Sequence, residues 1–215
     1  MTSPDTAPSG YAVLVPVKPL AVAKSRLGDL GDRARRDLAA AFAADTVDAV
    51  LACGTVSRVL VVTDDHVLAS ALRDLGVDVI PDGTTELNGT LVQAAAEMRR
   101  RAPGLRLAAL CADLPALRPE ELTRALEAAD PDRMSFVSDE ERLGTTAVVA
   151  PNLAWFRPAF GPASRRDHLQ AGAFEVDGVD VPTLRRDVDD PTTLADALRL
   201  GVGPRTSSVV TALRL

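Results

Sequence analysis

The chain has 215 residues, of which 47% are hydrophobic and 25% charged. That composition suits a globular domain with a sizeable core and excludes disorder over most of the length. A net charge of −6 with only 3% aromatic residues argues against a nucleic-acid surface, which needs a basic footprint and stacking platforms.

Residues 1–10 read as a polar tail, rich in Pro and Ser, without the basic start and apolar stretch of a signal peptide. Ala12–Val17 reads as a first strand. In Arg33–Cys53, Leu38, Phe42, Thr46 and Val50 recur every fourth residue, the mark of a helix. Val59–Thr63 reads as a strand, Val67–Leu75 as a helix, and Val77–Ile80 as a strand closed by Pro81. Asn88–Arg101 carries Leu91, Ala95 and Met98 on one helical face, and Leu107–Cys111 is a fourth strand. Runs such as Val59–Val62 are apolar at every position, as in strands covered by helices on both faces. The order βαβαβαβ therefore predicts a doubly wound α/β fold with a mostly parallel sheet.

Past Pro119 the pattern changes. Glu120–Ala129 reads as a helix, Ser135–Val137 and Thr146–Ala150 as strands, and Ser164–Gln170 as a short helix. Val179–Leu184 reads as extended and Thr192–Leu200 as a closing helix. No composition shift marks a linker. Residues 11–215 are expected to form one domain, with a nucleotide side to about 118 and an acceptor side over about 119–204.

The apolar runs are too short to span a bilayer, so the protein is expected in the cytoplasm, with no membrane or nucleic-acid partner. Cys53 and Cys111 are far apart and outside any CxxC, and the only histidines are His66 and His168. A metal would therefore be held by oxygens, which points to magnesium.

Several constellations could carry chemistry. Between Lys18 and Arg36 there are six basic residues and two acids, a net +4 inside an acidic chain. Ligands of open α/β sheets bind at the carboxyl ends of strands, where this loop lies. Arg33, Arg35 and Arg36 fit a solvated helix face, whereas Lys18, Lys24 and Arg26 suit a polyphosphate. The loop has neither GxGxxG nor GxxxxGK[ST], so neither a Rossmann nor a Walker site is supported.

Asp113 directly follows an apolar strand, where it could hold Mg²⁺ against phosphates or cap the next turn. Asp187 and Asp189 point the same way in extended backbone and could share a metal. Asp190 before Pro191 reads as a helix cap. Asp82–Gly89 is a strand-to-helix loop in which Asn88 could cap the helix or help hold a nucleoside. Leu143–Thr146 and Phe160–Ser164 place small hydroxyl residues beside glycines, a set that serves anion donors and ordinary turns alike. Cys53 and Cys111 read as small core residues, and His66 as a helix or loop start. His168, beside Arg165 and Arg166, reads as exposed. No GxSxG elbow supports hydrolase chemistry.

Together, Lys18–Leu27 (KPLAVAKSRL), Leu87-Asn88, Asp113–Leu117 (DLPAL), Leu143–Ala147, Phe160–Ser164, Asp187–Pro191 and Leu200–Pro204 (LGVGP) resemble the phosphoenolpyruvate/2-phospho-L-lactate guanylyltransferases of coenzyme F-420 biosynthesis. The resemblance runs from about Val13 to Pro204. It implies a GTP-dependent nucleotidyltransferase of glycosyltransferase-A-like fold. Such an enzyme transfers GMP to the phosphate of phosphoenolpyruvate or 2-phospho-L-lactate and releases pyrophosphate. It implies that Thr146, Gly161 and Ser164 hold phosphoenolpyruvate, and that Asp113, Asp187 and Asp189 are Mg²⁺ ligands, with two ions expected. It places Lys18, Lys24, Arg26 and Asn88 on the GTP side, with Lys18, Lys24, Arg26 and Asp113 serving catalysis. Direct hand-over of the product to the downstream F-420 pathway transferase is a further expectation.

Two departures bear on the assignments. Gly144-Thr145-Thr146-Ala147 is one residue shorter than the GTGTA of many members, which leaves Thr145 and Thr146 as alternatives. Asp190 stands where many members have Thr in DVDTP. The competing readings are a molybdenum-cofactor type nucleotidyltransferase, a 3-phosphoglycerate acceptor, and a noncatalytic nucleotide-sensing domain.

Overall fold

The structure is a computed structural model that describes residues 10–18, 27, 30–84 and 86–215. Its first half winds β1 (Tyr11–Pro16), α1 (Gly31–Leu51), β2 (Val56–Val62), α2 (His66–Asp74), β3 (Asp78–Ile80), α3 (Leu87–Arg101) and β4 (Arg106–Leu110). The second half adds α4 (Pro119–Glu127), β5 (Ser135–Ser138), β6 (Thr145–Ala150), α5 (Ser164–Gln170), β7 (Phe174–Glu175), α6 (Pro182–Arg185), α7 (Pro191–Leu200) and α8 (Pro204–Leu213).

The strands form one seven-stranded sheet in the order β3-β2-β1-β4-β6-β5-β7. β1 pairs in parallel with β2 and β4, and β2 with β3. The sheet is mostly parallel, as expected from the chain order. β6 runs antiparallel to both β4 and β5. That reversal brings the start of β6 to the edge where β1 and β4 end, because Leu110 lies opposite Ala147.

Alternation along β1 shows why its sequence is apolar throughout. Tyr11, Val13 and Val15 belong to the core that contains Val47 and Val50 of α1 and Leu68 and Leu72 of α2. Ala12 and Leu14 belong to the opposite core, with Leu91, Ala94, Ala95 and Met98 of α3. Burying both faces removes any position where a polar side chain could reach water. A third cluster joins Leu38 and Phe42 of α1 to Leu194 and Ala197 of α7 and Val210 of α8.

Three elements differ from the sequence expectation. The segment Val179–Leu184, expected to be extended, instead runs into the helical turn α6, Pro182–Arg185. Buried Glu121 accepts the Thr183 N–H at 2.8 Å and so caps that turn from a distance of 62 residues in sequence. β7 is only two residues long, too short to show a period, and pairs with the edge of β5. α7 is not the closing helix, since α8 follows it, with Pro204 in its first turn. No described helix is long and apolar enough to cross a membrane.

Candidate functional site

The carboxylates of Asp113, Asp187 and Asp189 converge beyond the end of β4. Each offers one oxygen, and these oxygens lie within 4.8 Å of one another. The Val188 N–H donates to the Asp113 carbonyl at 3.0 Å, which docks the later segment against the earlier one. Asp187 and Asp189 flank that anchor, so their side chains emerge on the same side. Asp190 is the N-cap of α7 and accepts the N–H groups of Thr192 and Thr193, both at 2.9 Å, as its place before Pro191 predicts.

What holds the aspartate segment is not visible in residue spacing. Arg185 is buried and donates to the Ser138 carbonyl at 2.9 Å, to its hydroxyl at 2.7 Å, and to the Val176 carbonyl at 2.9 Å. Burial pulls its guanidinium below the usual arginine range. Arg186, also buried, pairs with Glu141 at 2.7 Å. Two buried arginines thus fix the backbone immediately before Asp187. Nothing in their spacing separates them from the exposed arginines elsewhere.

Beside β4, the Thr146 carbonyl accepts the Cys111 N–H at 2.9 Å, two residues before Asp113. Thr145 and Thr146 are both buried but have different surroundings. The Thr145 hydroxyl lies 3.0 Å from Nδ1 of His168. The Thr146 hydroxyl has no hydrogen-bond partner among the described residues, and neither has the buried Ser164 hydroxyl. A Cβ built on Gly144 would lie 3.9 Å from Ser164 Oγ, so the two glycine-bearing segments meet here. Gly161 lies on the exposed turn just before, and its carbonyl accepts the Ser164 N–H at 3.0 Å.

His168 is wholly buried, which corrects the expectation of an exposed residue. Its ring stacks on Phe136 with centroids 5.1 Å apart and meets the Phe160 ring edge-on at 6.2 Å. Burial holds its pKa down to about 4, against the opposing influence of the Asp167 charge and the Ser164 backbone. The ring is neutral at pH 7. Nε2 accepts the Ala159 N–H at 3.0 Å, so the single proton sits on Nδ1, facing Thr145.

Asn88 is not the N-cap of α3. Glu86 takes that position, and Asn88 lies in the first turn. Its amide instead pairs with Phe160. Oδ1 accepts the Phe160 N–H at 2.8 Å, and Nδ2 donates to the Phe160 carbonyl at 3.1 Å. In the loop before it, Asp82 accepts from the Thr84 N–H at 3.0 Å and from the Thr90 hydroxyl at 2.8 Å.

Lys18 is exposed two residues past the end of β1. Lys24 and Arg26 lie outside the described residues. Arg33 and Arg36 are exposed on α1, as expected, and Arg33 approaches Asp37 at 3.9 Å, whereas Arg35 is half-buried and pairs with Asp32. His66 is the first residue of α2, which Asp65 caps.

The family model described as "Guanylyl transferase CofC like" matches residues 11–213. A phosphoenolpyruvate guanylyltransferase of Streptosporangium roseum is 45% identical over 214 residues, covering 98% of this chain and 95% of that protein. Another, of Thermomonospora curvata, is 47% identical over 202 residues, covering 93% of this chain and 88% of that protein. Among solved structures, a nucleotidyl transferase from Methanothermobacter thermautotroptrophicus superposes with a TM-score of 0.62 at 19% identity, covering 88% of this chain and 98% of that one. A 4-diphosphocytidyl-2C-methyl-D-erythritol synthase gives 0.60 at 13% identity, covering 90% and 98%. At those identities the structural likeness speaks for the fold, which is that of nucleotidyltransferases. The match over nearly the whole length, with relatives above 40% identity, shows that the chain belongs to the CofC-like guanylyl transferase family.

Proposed function

We propose that the protein transfers GMP from GTP to the phosphate of phosphoenolpyruvate and releases pyrophosphate, as a step of coenzyme F-420 biosynthesis in the cytoplasm. The observation that carries this reading is the pairing of a carboxylate trio with the buried Thr146 and Ser164 hydroxyls around the carboxyl edge of the sheet. The printed activity of the relatives supports the choice of acceptor.

An acceptor phosphate oxygen attacks the α-phosphorus of GTP, a new P–O–P bridge forms, and the bond to the β-phosphate oxygen breaks. The attacking oxygen is already ionised at neutral pH, so no general base is required. This agrees with His168, which is buried and has both ring nitrogens engaged. Thr146, Gly161 and Ser164 are assigned to the acceptor, with the two hydroxyls donating to its anionic groups.

Lys18, Lys24 and Arg26, with the Asp82–Glu86 loop, are assigned to the triphosphate side. Their positive charge offsets the repulsion between two polyanions. Asp113, Asp187 and Asp189 fit a magnesium site, since all three donors are oxygens and none is nitrogen or sulfur. Magnesium bound there supplies charge neutralisation and alignment of the phosphates. The product is a phosphoanhydride, prone to hydrolysis, and the downstream transferase is the partner that would take it directly.

The test is pyrophosphate release from GTP and Mg²⁺ with phosphoenolpyruvate, 2-phospho-L-lactate or 3-phosphoglycerate, coupled to the next enzyme. Release with phosphoenolpyruvate is the expected result. Release with only another acceptor overturns the substrate. No release from folded protein that still binds GTP favours a nucleotide-sensing domain.

A further inference from the structure

We propose that Asn88 and His168 are positioning residues for the acceptor, holding residues 159–164 in place from two sides. The inference rests on the guanylyl-transfer reading and extends it to two side chains that need not touch either substrate.

Four contacts carry it. The Asn88 amide engages both backbone groups of Phe160, at 2.8 and 3.1 Å. That two-point match needs a donor and an acceptor on one short planar group, which among the standard side chains asparagine supplies at this reach. One residue earlier, the Ala159 N–H is held by His168 Nε2 at 3.0 Å. On its other side the His168 ring engages Thr145 of β6, at 3.0 Å.

One neutral ring therefore ties β6 and the loop to α5, which carries it. It occupies the Thr145 hydroxyl, while the hydroxyls of Thr146 and Ser164 have no hydrogen-bond partner among the described residues. The spacing between Thr146 and Ser164 is then set by His168. The spacing between that pair and the α3 end of the site is set by Asn88. Asn88 sits at the start of α3, directly after the loop assigned to the nucleotide, so filling that loop can adjust the acceptor cradle through a single side chain. The same contact makes Asn88 a link between the two substrates rather than a nucleotide ligand.

The test separates acceptor KM from GTP KM in four variants. Asn88→Leu keeps the size and removes both hydrogen bonds at a half-buried position in the first turn of α3. It is expected to raise acceptor KM about tenfold and leave GTP KM within about twofold, the size of a lost hydrogen bond or two. Asn88→Asp keeps the acceptor for the Phe160 N–H and should fall between the two. At the buried site, His168→Gln places a polar atom near the Nε2 position and keeps a partner for Ala159. His168→Asn reproduces Nδ1 instead and releases the loop. Gln is expected to preserve acceptor KM better than Asn, although both lose a comparable part of the ring packing.

Equal effects of Gln and Asn would overturn the positioning role of His168 and leave a packing role. A raised GTP KM with unchanged acceptor KM in Asn88→Leu would overturn the role of Asn88 and return it to the nucleotide. Wild-type protein that releases no pyrophosphate with any acceptor would overturn the guanylyl-transfer reading itself, and this inference with it. Wild-type turnover with acceptor KM unmoved in all four variants would overturn the inference alone.

Discussion

Thr145 and Thr146 carry the same hydroxyl on consecutive positions of β6, at the irregularity where Val137 pairs with Ala147 but Ser138 with Thr145. One hydroxyl meets His168; the other has no described partner. Thr145→Val should therefore cost stability, about 1–3 kcal/mol, because it leaves a buried ring N–H short of an acceptor. Thr146→Val removes no described hydrogen bond and should leave thermal stability nearly unchanged. It should instead raise acceptor KM about tenfold or more, since a hydrogen bond to a charged group is worth about 1.5–3 kcal/mol. Melting curves and steady-state kinetics on the two variants check both halves. The reverse pattern would move the acceptor contact to Thr145.

At the scale of elements, the last helix depends on a residue near the middle of the first. Asp45 of α1 is buried and accepts the Thr206 N–H at 2.8 Å and the Arg205 N–H at 3.2 Å, at the start of α8. Arg205 also pairs with Asp48. Gly203, the N-cap, donates to the Pro115 carbonyl at 2.8 Å and so ties α8 to the DLPAL segment. A Cβ on Gly203 would lie 2.7 Å from both Cβ and Oδ2 of Asp45. Gly203→Ala should therefore destabilise the protein by about 1–3 kcal/mol through overpacking, and a lowered Tm would show it. The glycine is required by close approach, since its φ of −66° is open to any residue.

At the scale of the molecule, the three aspartates come from two segments about 74 residues apart and are docked by Val188 on Asp113. Gathering carboxylates costs repulsion that a bound cation offsets. Mg²⁺ should therefore raise the Tm of the wild-type chain, by mass action on the folded state. Asp113→Ala should remove that rise, keep the fold and abolish pyrophosphate release. Thermal melts with Mg²⁺ and with a chelator test the assignment. A Tm shift that survives in Asp113→Ala would place the ion elsewhere.

The alternation of apolar strands with amphipathic helices determined the α/β architecture, because burying both faces of a parallel sheet requires unbroken apolar runs such as Val59–Val62. Chain order also put Lys18, Asp113 and the Asp82–Asn88 loop after strands, hence at one edge. A cap such as Asp190 was legible because its partners are the next residues in sequence. The tertiary structure decided what depends on distant neighbours: the reversal of β6 that brings Thr146 to the same edge, the burial of His168 between Phe136 and Phe160, and the pairing of Asn88 with Phe160 across 72 residues. His168 in a stretch of arginines reads as exposed, because sequence periodicity reports a residue's face on its own short helix. It does not report which strand and loop close over that face.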